Sequence, residues 1–531
     1  MALDAAITQS TAGVAATQRH RSLGELISIS IFWFAINFHW AAILLILIPS
    51  QVTGLLFQAA PGATIAARSD WVLMNRPLVV ALVEAPGLIV ALIANPLFGL
   101  LSDRTPGRFG RRRPYILGGT ALNVVGLAVM ALGPALVAEP GNGNPLAPSL
   151  LMLMAGLMLT QLANNAAAAP FHALLPDLVP QEQRGKASGI MGLALFLGQI
   201  GGALVPIFFA FNSASLLDGS QPFATFAHGI TLTYGAIAVV ISLMAVLTAL
   251  TVHEPPWHGD TISAAHRAAD QRTWRALVLT VLAVLLFTGA ALVLFRFTSL
   301  TADSDSISIL QLIAVILAGI GAAYAFGFSP RRNPDFSWVV LTRMLVMQGV
   351  YMVQTFLLLY MGDVAHAPSP EGATTTFIII LTLTATVSTL FAGWGSDRIG
   401  RKRMVYVSGA FMAVVGAAFV LAPYLVPGQV LTLAFGSAAV FGLGYGAYVS
   451  VDWALVADVL PSETTFARDM GVWNIGLTLP QVFAAIFGGW VLSLGIALGS
   501  KQFGYTLLFV WFVVFCVLGT VTVRNIKGVK R

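Results

Sequence analysis

The chain has 531 residues, of which 57% are hydrophobic and only 9% are charged, against roughly 25% charged in ordinary soluble domains. Because so few charges do not cover the surface of a soluble globule, a soluble enzyme, a disordered chain and a fibrous repeat are excluded. The single cysteine, Cys516, lies in an apolar run, which excludes an intramolecular disulfide and a thiolate metal cluster. The net charge of +6 is typical of basic cytoplasmic loops in a membrane protein, and no nucleic-acid partner is expected.

An apolar run of about 20 residues is long enough to cross a bilayer core about 30 Å thick as a helix. Residues 1–22, which are rich in Ala, Thr and Gln, are predicted to form a disordered tail. Apolar runs then predict a six-helix bundle over residues 23–252, with spans at residues 27–48, 78–101, 115–137, 150–170, 187–210 and 230–252.

A polar stretch and two further runs, 276–295 and 307–328, predict a central cytoplasmic segment with two extra transmembrane helices over residues 253–337. A second six-helix bundle is predicted over residues 338–531, with spans at residues 338–361, 374–395, 404–421, 430–451, 470–495 and 503–523. The predicted fold class is therefore all-α, a polytopic membrane protein of about 14 spans. Most basic residues fall in loops on the side of the termini, which predicts cytoplasmic termini and an inner (plasma) membrane location.

Two sequence signals occur twice, once in each predicted bundle. The segment 99–113 contains Gly-x-x-x-Asp-Arg and then Gly-Arg-Arg-Arg, and the segment 393–403 contains Gly-x-x-x-Asp-Arg and then Gly-Arg-Lys-Arg. The segment 172–180, His-Ala-Leu-Leu-Pro-Asp-Leu-Val-Pro, reads like 453–461, Trp-Ala-Leu-Val-Ala-Asp-Val-Leu-Pro. Because both signals recur at a similar offset, a duplicated six-helix unit is predicted, as in many secondary transporters with a midplane site.

The doubled loop pattern resembles the signature of the major facilitator superfamily (MFS). The longer form over residues 102–116, with Leu-Ala-Asn-Asn at 162–165 and Ala-Leu-Leu at 173–175, resembles sucrose carriers and the related glycoside–pentoside–hexuronide symporters. The resemblance implies the MFS fold and a transporter, not an enzyme, that works by alternating access without a cofactor. Its implied partners are a sugar or glycoside, a cation expected to be a proton, and the lipid bilayer.

The loop signature also predicts a gate. A carboxylate near a helix N-terminus is favoured by about 0.3–1 kcal/mol, and arginines pair with acids at neighbouring helix ends. The resemblance implies a network that closes the cytoplasmic side and breaks during transport; the alternative is that the acids are helix caps and the arginines topogenic anchors. The predicted gating residues are Asp103, Arg104, Gly110, Arg111, Arg112, Asp177, Asp397, Arg398, Gly400, Arg401 and Asp458.

Glu84 and Arg343 fall inside predicted spans, where a charge costs about 2.5–3.5 kcal/mol on insertion scales, and Asp452 lies at the inner end of the span 430–451. Glu84 and Asp452 are the candidates for proton coupling, with a slight preference for Asp452, and Arg343 lies within the seventh run of the two bundles. The alternatives are that Glu84 faces the outer mouth, that Arg343 extends towards the interface and that Asp452 caps a helix.

The fourth span departs from the resembled family. Sucrose carriers have an acid there with a base eleven residues later, and these positions match Gln161 and His172. Eleven residues correspond to about 1100°, so the two side chains share one helix face about 16 Å apart along the axis. Because Gln161 is a neutral amide, this span lacks the acid that would carry the proton in the plant sucrose carriers.

Amides that both donate and accept hydrogen bonds suit a ligand rich in hydroxyls, and aromatic rings stack on sugar faces. The predicted substrate-binding residues are Asn37, His39, Gln161, Asn164, Asn165, His172, Gln199, Gln348, Gln354, Tyr445, Trp453, Asn474 and Gln481. The same inventory fits efflux of amphipathic organic compounds, and a non-transporting membrane receptor or assembly factor on this fold is a further alternative. The sequence contains no Walker motif, metal-ligand signature or nucleophile elbow, so no enzymatic activity is predicted.

Overall fold

The computed structural model is all-helical in the residues that it describes, which are 20–105, 107, 109–132, 148–180, 183–209, 211–254, 328–459 and 466–527, with isolated positions between 278 and 323. This described part contains 12 helices that are long and apolar enough to cross a membrane. The predicted tail and the two predicted central helices lie almost wholly outside the described residues, so the fourteen-span topology stays a prediction.

The first six helices form one bundle, and a short helix, Ser213–Leu217, precedes the sixth. A 3₁₀ turn, Val205–Phe209, extends the fifth helix. The six are α1 Leu23–Ala59, α2 Ile65–Arg104, α3 Arg113–Leu132, α4 Pro148–Leu178, α5 Arg184–Leu204 and α6 Phe223–Thr251.

The second bundle repeats this arrangement. Its helices are α7 Pro334–Asp363, α8 Pro370–Ile399, α9 Arg401–Leu425, α10 Val430–Val459, α11 Phe466–Leu498 and α12 Lys501–Thr522. The pairs α1–α5, α2–α4, α3–α4, α3–α6 and α1–α6 of the first bundle have counterparts in α7–α11, α8–α10, α9–α10, α9–α12 and α7–α12. The duplication read from the loops thus extends to the helix packing.

Helix α1 changes its winding near its middle. Residues Ile43–Leu47 form a π-helical turn, and the Ile48 backbone N–H donates to the Ile43 carbonyl. Pro49 follows directly; a proline inside an α-helix removes one hydrogen bond and crowds the carbonyl four residues earlier. The wider turn accommodates the proline without ending the helix, as single π-turns commonly do.

Small residues bring α1 and α5 into close contact. A Cβ atom at Gly198 would overlap the Phe34 carbonyl oxygen, and one at Gly202 would overlap that of Phe38. Such a small-xxx-small spacing lets membrane helices pack backbone against backbone, because apolar side chains alone gain little over lipid there. This contact places the face of α1 that carries Asn37 against α5.

The two bundles meet along α2–α11 and α5–α8, which are equivalent pairs under the repeat. The two ends of the molecule differ. One end, here named the motif end, gathers residues 102–105, 109–113, 178–180, 183 and 249–254 of the first bundle and residues 402 and 523–527 of the second. At the opposite end, named the closed end, residues 50, 76 and 213 of the first bundle bond to residues 363 and 371 of the second.

Candidate functional site

A buried ion pair joins the two bundles at the closed end. Arg76 Nη2 on α2 lies 2.6 Å from Asp363 Oδ1 at the end of α7, and both side chains are at most 5% exposed. Tyr505 Oη on α12 donates to Asp363 Oδ2 at 2.7 Å. Because separating the bundles here breaks a desolvated pair, these contacts hold the closed end together.

A second polar cluster bridges the bundles at the same end. Ser50 Oγ on α1 donates to Glu371 Oε1 at 2.9 Å, and the Ser213 backbone N–H donates to the same oxygen at 3.0 Å. The Ser213 hydroxyl also bonds to Glu371 Oε1. Thr375 Oγ1 on α8 donates to the Ala203 carbonyl at 2.8 Å, next to this cluster. The closed end is therefore sealed by polar contacts as well as by apolar packing.

Sequence reasoning missed these closed-end residues. Arg76, Asp363 and Glu371 lie just outside the apolar runs 78–101, 338–361 and 374–395, so they read as loop charges. The structure continues the helices past the runs and buries all three side chains. Each of them is a charge at the edge of an apolar run, and that position is the signal from which a buried role could have been predicted.

The first loop signature forms a network within the first bundle at the motif end. Arg111 Nη2 lies 2.8 Å from Asp177 Oδ2, and Arg112 Nε lies 3.1 Å from the same oxygen. Arg112 Nη1 donates to Ser102 Oγ at 2.5 Å. The pairs join the loop after α2 to the end of α4, where the sequence predicts them. Their role in gating stays a prediction.

Glu254, which was not a sequence candidate, completes this network. Its Oε2 accepts from the Arg112 backbone N–H at 2.9 Å. Burial raises the pKa of the Glu254 carboxyl, and the neighbouring amides and the Arg112 guanidinium oppose that rise. Gly110 has φ +84°, and a Cβ atom there would overlap Glu254 Oε2. The loop therefore requires glycine for its conformation and for the approach of Glu254.

The second copy of the signature has the same backbone feature. Gly400 has φ +99°, and its N–H donates to the Ser396 carbonyl at 3.1 Å. Arg398 is exposed and Arg401 is half-buried. The side chains of Asp103, Arg104, Asp397 and Asp458 lie outside the described residues, so their predicted gating role is not tested.

The polar face of α4 is buried against α2. Gln161 is 3% exposed and lies beside Gly87, and Asn164 is similarly buried. Asn95 Nδ2 donates to Asn165 Oδ1 at 3.1 Å, and Asn165 Nδ2 donates to the Gln161 carbonyl at 2.8 Å. The structure thus brings Gln161 and Asn165 together between α2 and α4 and buries Asn164 on the same helix.

An aromatic pair lies between α1 and α4, about two turns beyond Asn165 along α4. The Trp33 and His172 ring centroids are 4.7 Å apart in an edge arrangement, and Trp33 stacks on Phe171 at 6.3 Å. His172 is exposed although it lies in an apolar helix. Asn37 Nδ2 donates to the Trp33 carbonyl at 2.8 Å. This group presents an aromatic surface beside a titratable ring.

His39 lies inside the first bundle and has no solvent exposure. Its ring is beside the Asn123 amide and forms an edge contact with Trp40 at 4.4 Å. Neither ring nitrogen has a well-formed hydrogen bond to a described residue. A ligand does not reach His39 in this arrangement, so its place among the substrate residues stays a prediction without geometric support.

Arg343 and Asp452, which the sequence treats separately, form a buried ion pair between α7 and α10. Tyr448 Oη donates to Asp452 Oδ1 at 3.3 Å. The Arg343 guanidinium lies over the Trp473 ring, 3.5 Å from its centroid, and Tyr445 is close to the pair. Arg343 therefore does not extend towards the interface, and the pair keeps both charges inside the bundle at little net charge.

Glu84 has a different environment. Its side chain is 3% exposed, and Oε1 is buried without a hydrogen-bond partner among the described residues. One turn away, Ala81 packs against Gly489 of α11, so Glu84 lies next to the contact between the bundles. The expected opening of Glu84 to an outer mouth is not present in this closed arrangement. An unpaired carboxyl in such a place is expensive to ionise.

The remaining predicted substrate residues are scattered over the second bundle and α5. When its amide is oriented to satisfy both ends, Gln348 donates to the Pro480 carbonyl at 3.0 Å and accepts from the Ala484 N–H at 3.2 Å, which ties α7 to the proline of α11. Gln199, Gln354, Tyr445 and Gln481 are half-buried, and the side chains of Trp453 and Asn474 lie outside the described residues. No cluster of metal-ligating side chains occurs in the described part of the chain.

Two repeated six-helix bundles with polar contacts between them and polar groups within the spans are the architecture of many secondary transporters. A family model of the Major Facilitator Superfamily matches residues 77–466 and, separately, 339–527. The first match covers more than half of the chain, so the chain belongs to the Major Facilitator Superfamily. It is an integral membrane transport protein and not an enzyme.

Relatives with assigned roles match a smaller part. Sucrose transport protein SUC3 of Arabidopsis thaliana is 28% identical over 122 residues, which are 22% of this chain and 20% of that protein. Proton-associated sugar transporter A of Homo sapiens is 29% identical over 173 residues, 32% of this chain and 22% of that protein. The matches thus span about a fifth of the length of these curated relatives.

Among solved structures, a D-xylose-proton symporter superposes with a TM-score of 0.61 over 96% of this chain and 100% of that chain, at 16% identity. An identity this low shows the fold alone. The fold in question is the two-bundle arrangement described above.

Proposed function

We propose that this chain is a proton-coupled transporter of a sugar or glycoside that works by alternating access. The observation that carries the proposal is the buried Arg76–Asp363 pair, which joins the two bundles at the closed end. The ion pairs described at the motif end, such as Arg112–Asp177, join helices of one bundle. An ion pair between the bundles at the closed end, together with ion pairs within one bundle among the described residues of the motif end, fits a protein that opens its ends in turn.

We place the motif end in the cytoplasm, because the basic residues of both loop signatures lie there. This places both termini inside the cell and the chain in the inner (plasma) membrane. The proposal retains fourteen spans, with central helices at 276–295 and 307–328 between bundles at 23–252 and 338–531. The predicted gating residues of both signatures then lie at the cytoplasmic ends of their helices.

The substrate proposal rests on the α1–α4 face. The exposed His172 and the Trp33 ring offer an aromatic surface, and the amides of Gln161, Asn164 and Asn165 lie further along the same helix. Aromatic platforms with neutral amides and few charges suit a ligand that combines apolar ring faces with hydroxyl groups. The sucrose transport protein and the proton-associated sugar transporter to which this chain is similar agree with this chemistry.

For the proton, the environment favours Glu84 over Asp452, which reverses the preference drawn from the sequence. Asp452 pairs with Arg343, so its charge is compensated inside the bundle. Glu84 is buried, lacks a partner at Oε1 and lies beside the contact between bundles that must open. A carboxyl that is neutral when buried and ionised when water reaches it binds and releases a proton as the bundles move.

The proposal is tested by ligand stabilisation followed by transport. Purified protein is screened for thermal stabilisation by a panel of sugars and glycosides; a ligand at a hundredfold excess over its Kd stabilises by about 2.7 kcal/mol. Hits are then tested for uptake into proteoliposomes with and without an imposed pH gradient. Stabilisation by amphipathic organic compounds but by no sugar indicates efflux, and hits without any flux indicate a non-transporting receptor.

A further inference from the structure

Glu371 occupies an unusual place at the closed end. It lies in the first turn of α8, is 3% exposed and contacts the first bundle. Three donors converge on its Oε1: the Ser50 hydroxyl, the Ser213 hydroxyl and the Ser213 backbone N–H. All three belong to the first bundle. The carboxyl therefore gains these bonds only while the bundles are together.

The two carboxyl oxygens of Glu371 have very different surroundings. Oε2 is buried and has no hydrogen-bond partner among the residues that the structure describes. A carboxylate carries its charge equally on both oxygens, and each needs donors when water is excluded. A neutral carboxyl group carries no charge, so it loses less than a carboxylate does when donors are few. With three donors on Oε1 and none among the described residues on Oε2, the cluster suits a neutral carboxyl group better than a charged one.

The charged and titratable groups nearby do not supply a counter-ion. Asp363 and Arg76 are paired with each other, and Asp218 bonds to the Ser220 N–H. Other titratable side chains at or near this end include those of Arg68, Asp70, His228, Tyr234, His366 and Lys501, and in the described part of the chain none forms an ion pair with Glu371. The start of α8 favours an anion, but this effect is smaller than the desolvation of a carboxylate that lacks a counter-ion.

We propose that Glu371 is a proton-binding site of the closed end: it binds a proton from the adjacent solution when the bundles close and releases it when they part. When the bundles separate, Ser50 and Ser213 move away and water reaches both oxygens, which favours ionisation. Proton binding and closure at this end are then one linked equilibrium. The proposal concerns the closed end alone, so it stands or falls independently of the transported substrate and of Glu84.

A route for the proton is present. A cavity of about 460 Å³ lies between the bundles at this end and reaches Glu371. Its polar lining comes from Asn212, Ser215 and Gln221 on one side and from Ser369 and Glu371 on the other. Water in this cavity can deliver the proton to the cluster without passing through the transport pathway.

The test measures the width of the closed end against pH. With Cys516 replaced, spin labels are placed at Ala63 and Gln429, which are exposed at this end on the first and second bundles. In nanodiscs both faces see the same pH, so the side on which the site opens does not affect the result. Over the pH range in which open molecules are ionised and closed molecules still bind the proton, we expect the ratio of open to closed molecules to rise about tenfold for each pH unit and to level off above that range, as for a single proton.

Two variants separate Glu371 from other titrating groups. Glu371→Gln keeps the shape, accepts at one oxygen and has no proton to lose, so its distance distribution should stay closed at all pH values. Asp363→Asn weakens the other cluster, so it should open more molecules at every pH and keep the tenfold slope. A slope that persists in Glu371→Gln, or that disappears in Asp363→Asn with Glu371 intact, overturns the proposal.

A second measurement begins with the wild-type protein and adds Glu371→Asp, so it does not depend on whether Glu371→Gln folds normally. Infrared spectra of the wild-type protein at a pH where the closed state dominates should contain the carbonyl stretch of a protonated carboxyl group. That band should shift in Glu371→Asp, which keeps the acid, and disappear in Glu371→Gln. A spectrum in which neither substitution changes the protonated-carboxyl region contradicts the assignment.

Discussion

Asp452 and Arg343 neutralise each other inside the second bundle, with the Arg343 guanidinium resting on the Trp473 ring. Each charge stands out in the sequence because its span is otherwise apolar. Their partnership was not predictable, since the two residues are 109 positions apart and apolar periodicity does not say which faces of α7 and α10 meet. The pair changes Asp452 from a candidate proton carrier into a charge that the fold already satisfies.

Asp452→Asn should therefore destabilise the protein strongly. Removing one member of a buried pair leaves the Arg343 charge uncompensated, which costs about 3–5 kcal/mol. Chemical denaturation in detergent measures the change. The double variant Arg343→Met with Asp452→Leu removes both charges and should recover most of the loss; a double variant as unstable as the single one shows that the pair is not what stabilises this site.

Glu84→Gln should uncouple transport from the pH gradient. The amide keeps the shape of the side chain but takes up no proton at neutral pH, so substrate should equilibrate without accumulating while counterflow exchange continues. Proteoliposome uptake with and without a pH gradient gives both readouts. The matched control is Glu25→Gln at the start of α1, where glutamine also serves a capping box. If Glu84→Gln loses accumulation and exchange to the same extent, the role of Glu84 is structural and not in proton coupling.

At the scale of elements, apolar runs predicted twelve helices that the structure describes but made several of them too short. Helix α2 begins at Ile65, although its apolar run begins at residue 78. A hydropathy scan stops at charges, whereas the helix continues because Arg68 bonds to the Phe57 carbonyl at 2.6 Å and Arg76 pairs with Asp363. For this reason the sequence did not predict that the charged residues of the closed end are buried.

The loop signature was better predicted, because its glycines have a local cause. Gly110 and Gly400 were aligned from the repeat, and both have positive φ. What the sequence could not show is the approach of Glu254 to Gly110 from the end of α6. That contact depends on how α3 and α6 pack and has no local signal.

Gly110→Ala should destabilise the loop between α2 and α3 and slow transport. A positive φ costs a non-glycine residue about 1–3 kcal/mol, and the new Cβ atom also displaces Glu254 from the Arg112 N–H. Thermal unfolding and turnover are measured together. Gly118→Ala is the matched control, because its Cβ atom on α3 meets no described atom within 4 Å. Equal behaviour of the two variants contradicts the need for glycine in the loop.

At the scale of the whole molecule, the closed end depends on Arg76. Arg76→Gln leaves Asp363 buried with Tyr505 as its remaining donor, so closed molecules lose about 3–5 kcal/mol relative to open ones, roughly a hundredfold or more in population. The labels at Ala63 and Gln429 report the change. Arg68 lies at the same end, and its described hydrogen bonds are to carbonyls of its own bundle, so Arg68→Gln should leave the distance unchanged. If both variants open this end, the change is general unfolding and not loss of the pair.

The fourteen-span proposal also makes a prediction for the whole chain. Residue 303, in the loop between the two central spans, should lie on the opposite side of the membrane from residue 527. Cysteines placed there after replacement of Cys516 are labelled with an impermeant reagent in intact cells. We expect labelling at 303 and protection at 527. Protection of both, with labelling after lysis, places the central segment on the side of the termini and leaves twelve spans.

The π-turn of α1 sets the helical phase of everything beyond it. One extra residue in a turn rotates the following helix by about 100° and shifts it by about 1.5 Å. Beyond Ile43–Leu47, this phase points Ser50 at Glu371 and Gln51 at Tyr234, whose hydroxyl donates to Gln51 Oε1 at 2.7 Å. Deleting one apolar residue from the turn would keep hydropathy and every polar group, yet turn both contacts away. Both the seal between the bundles and the α1–α6 contact therefore depend on a residue that carries no functional group.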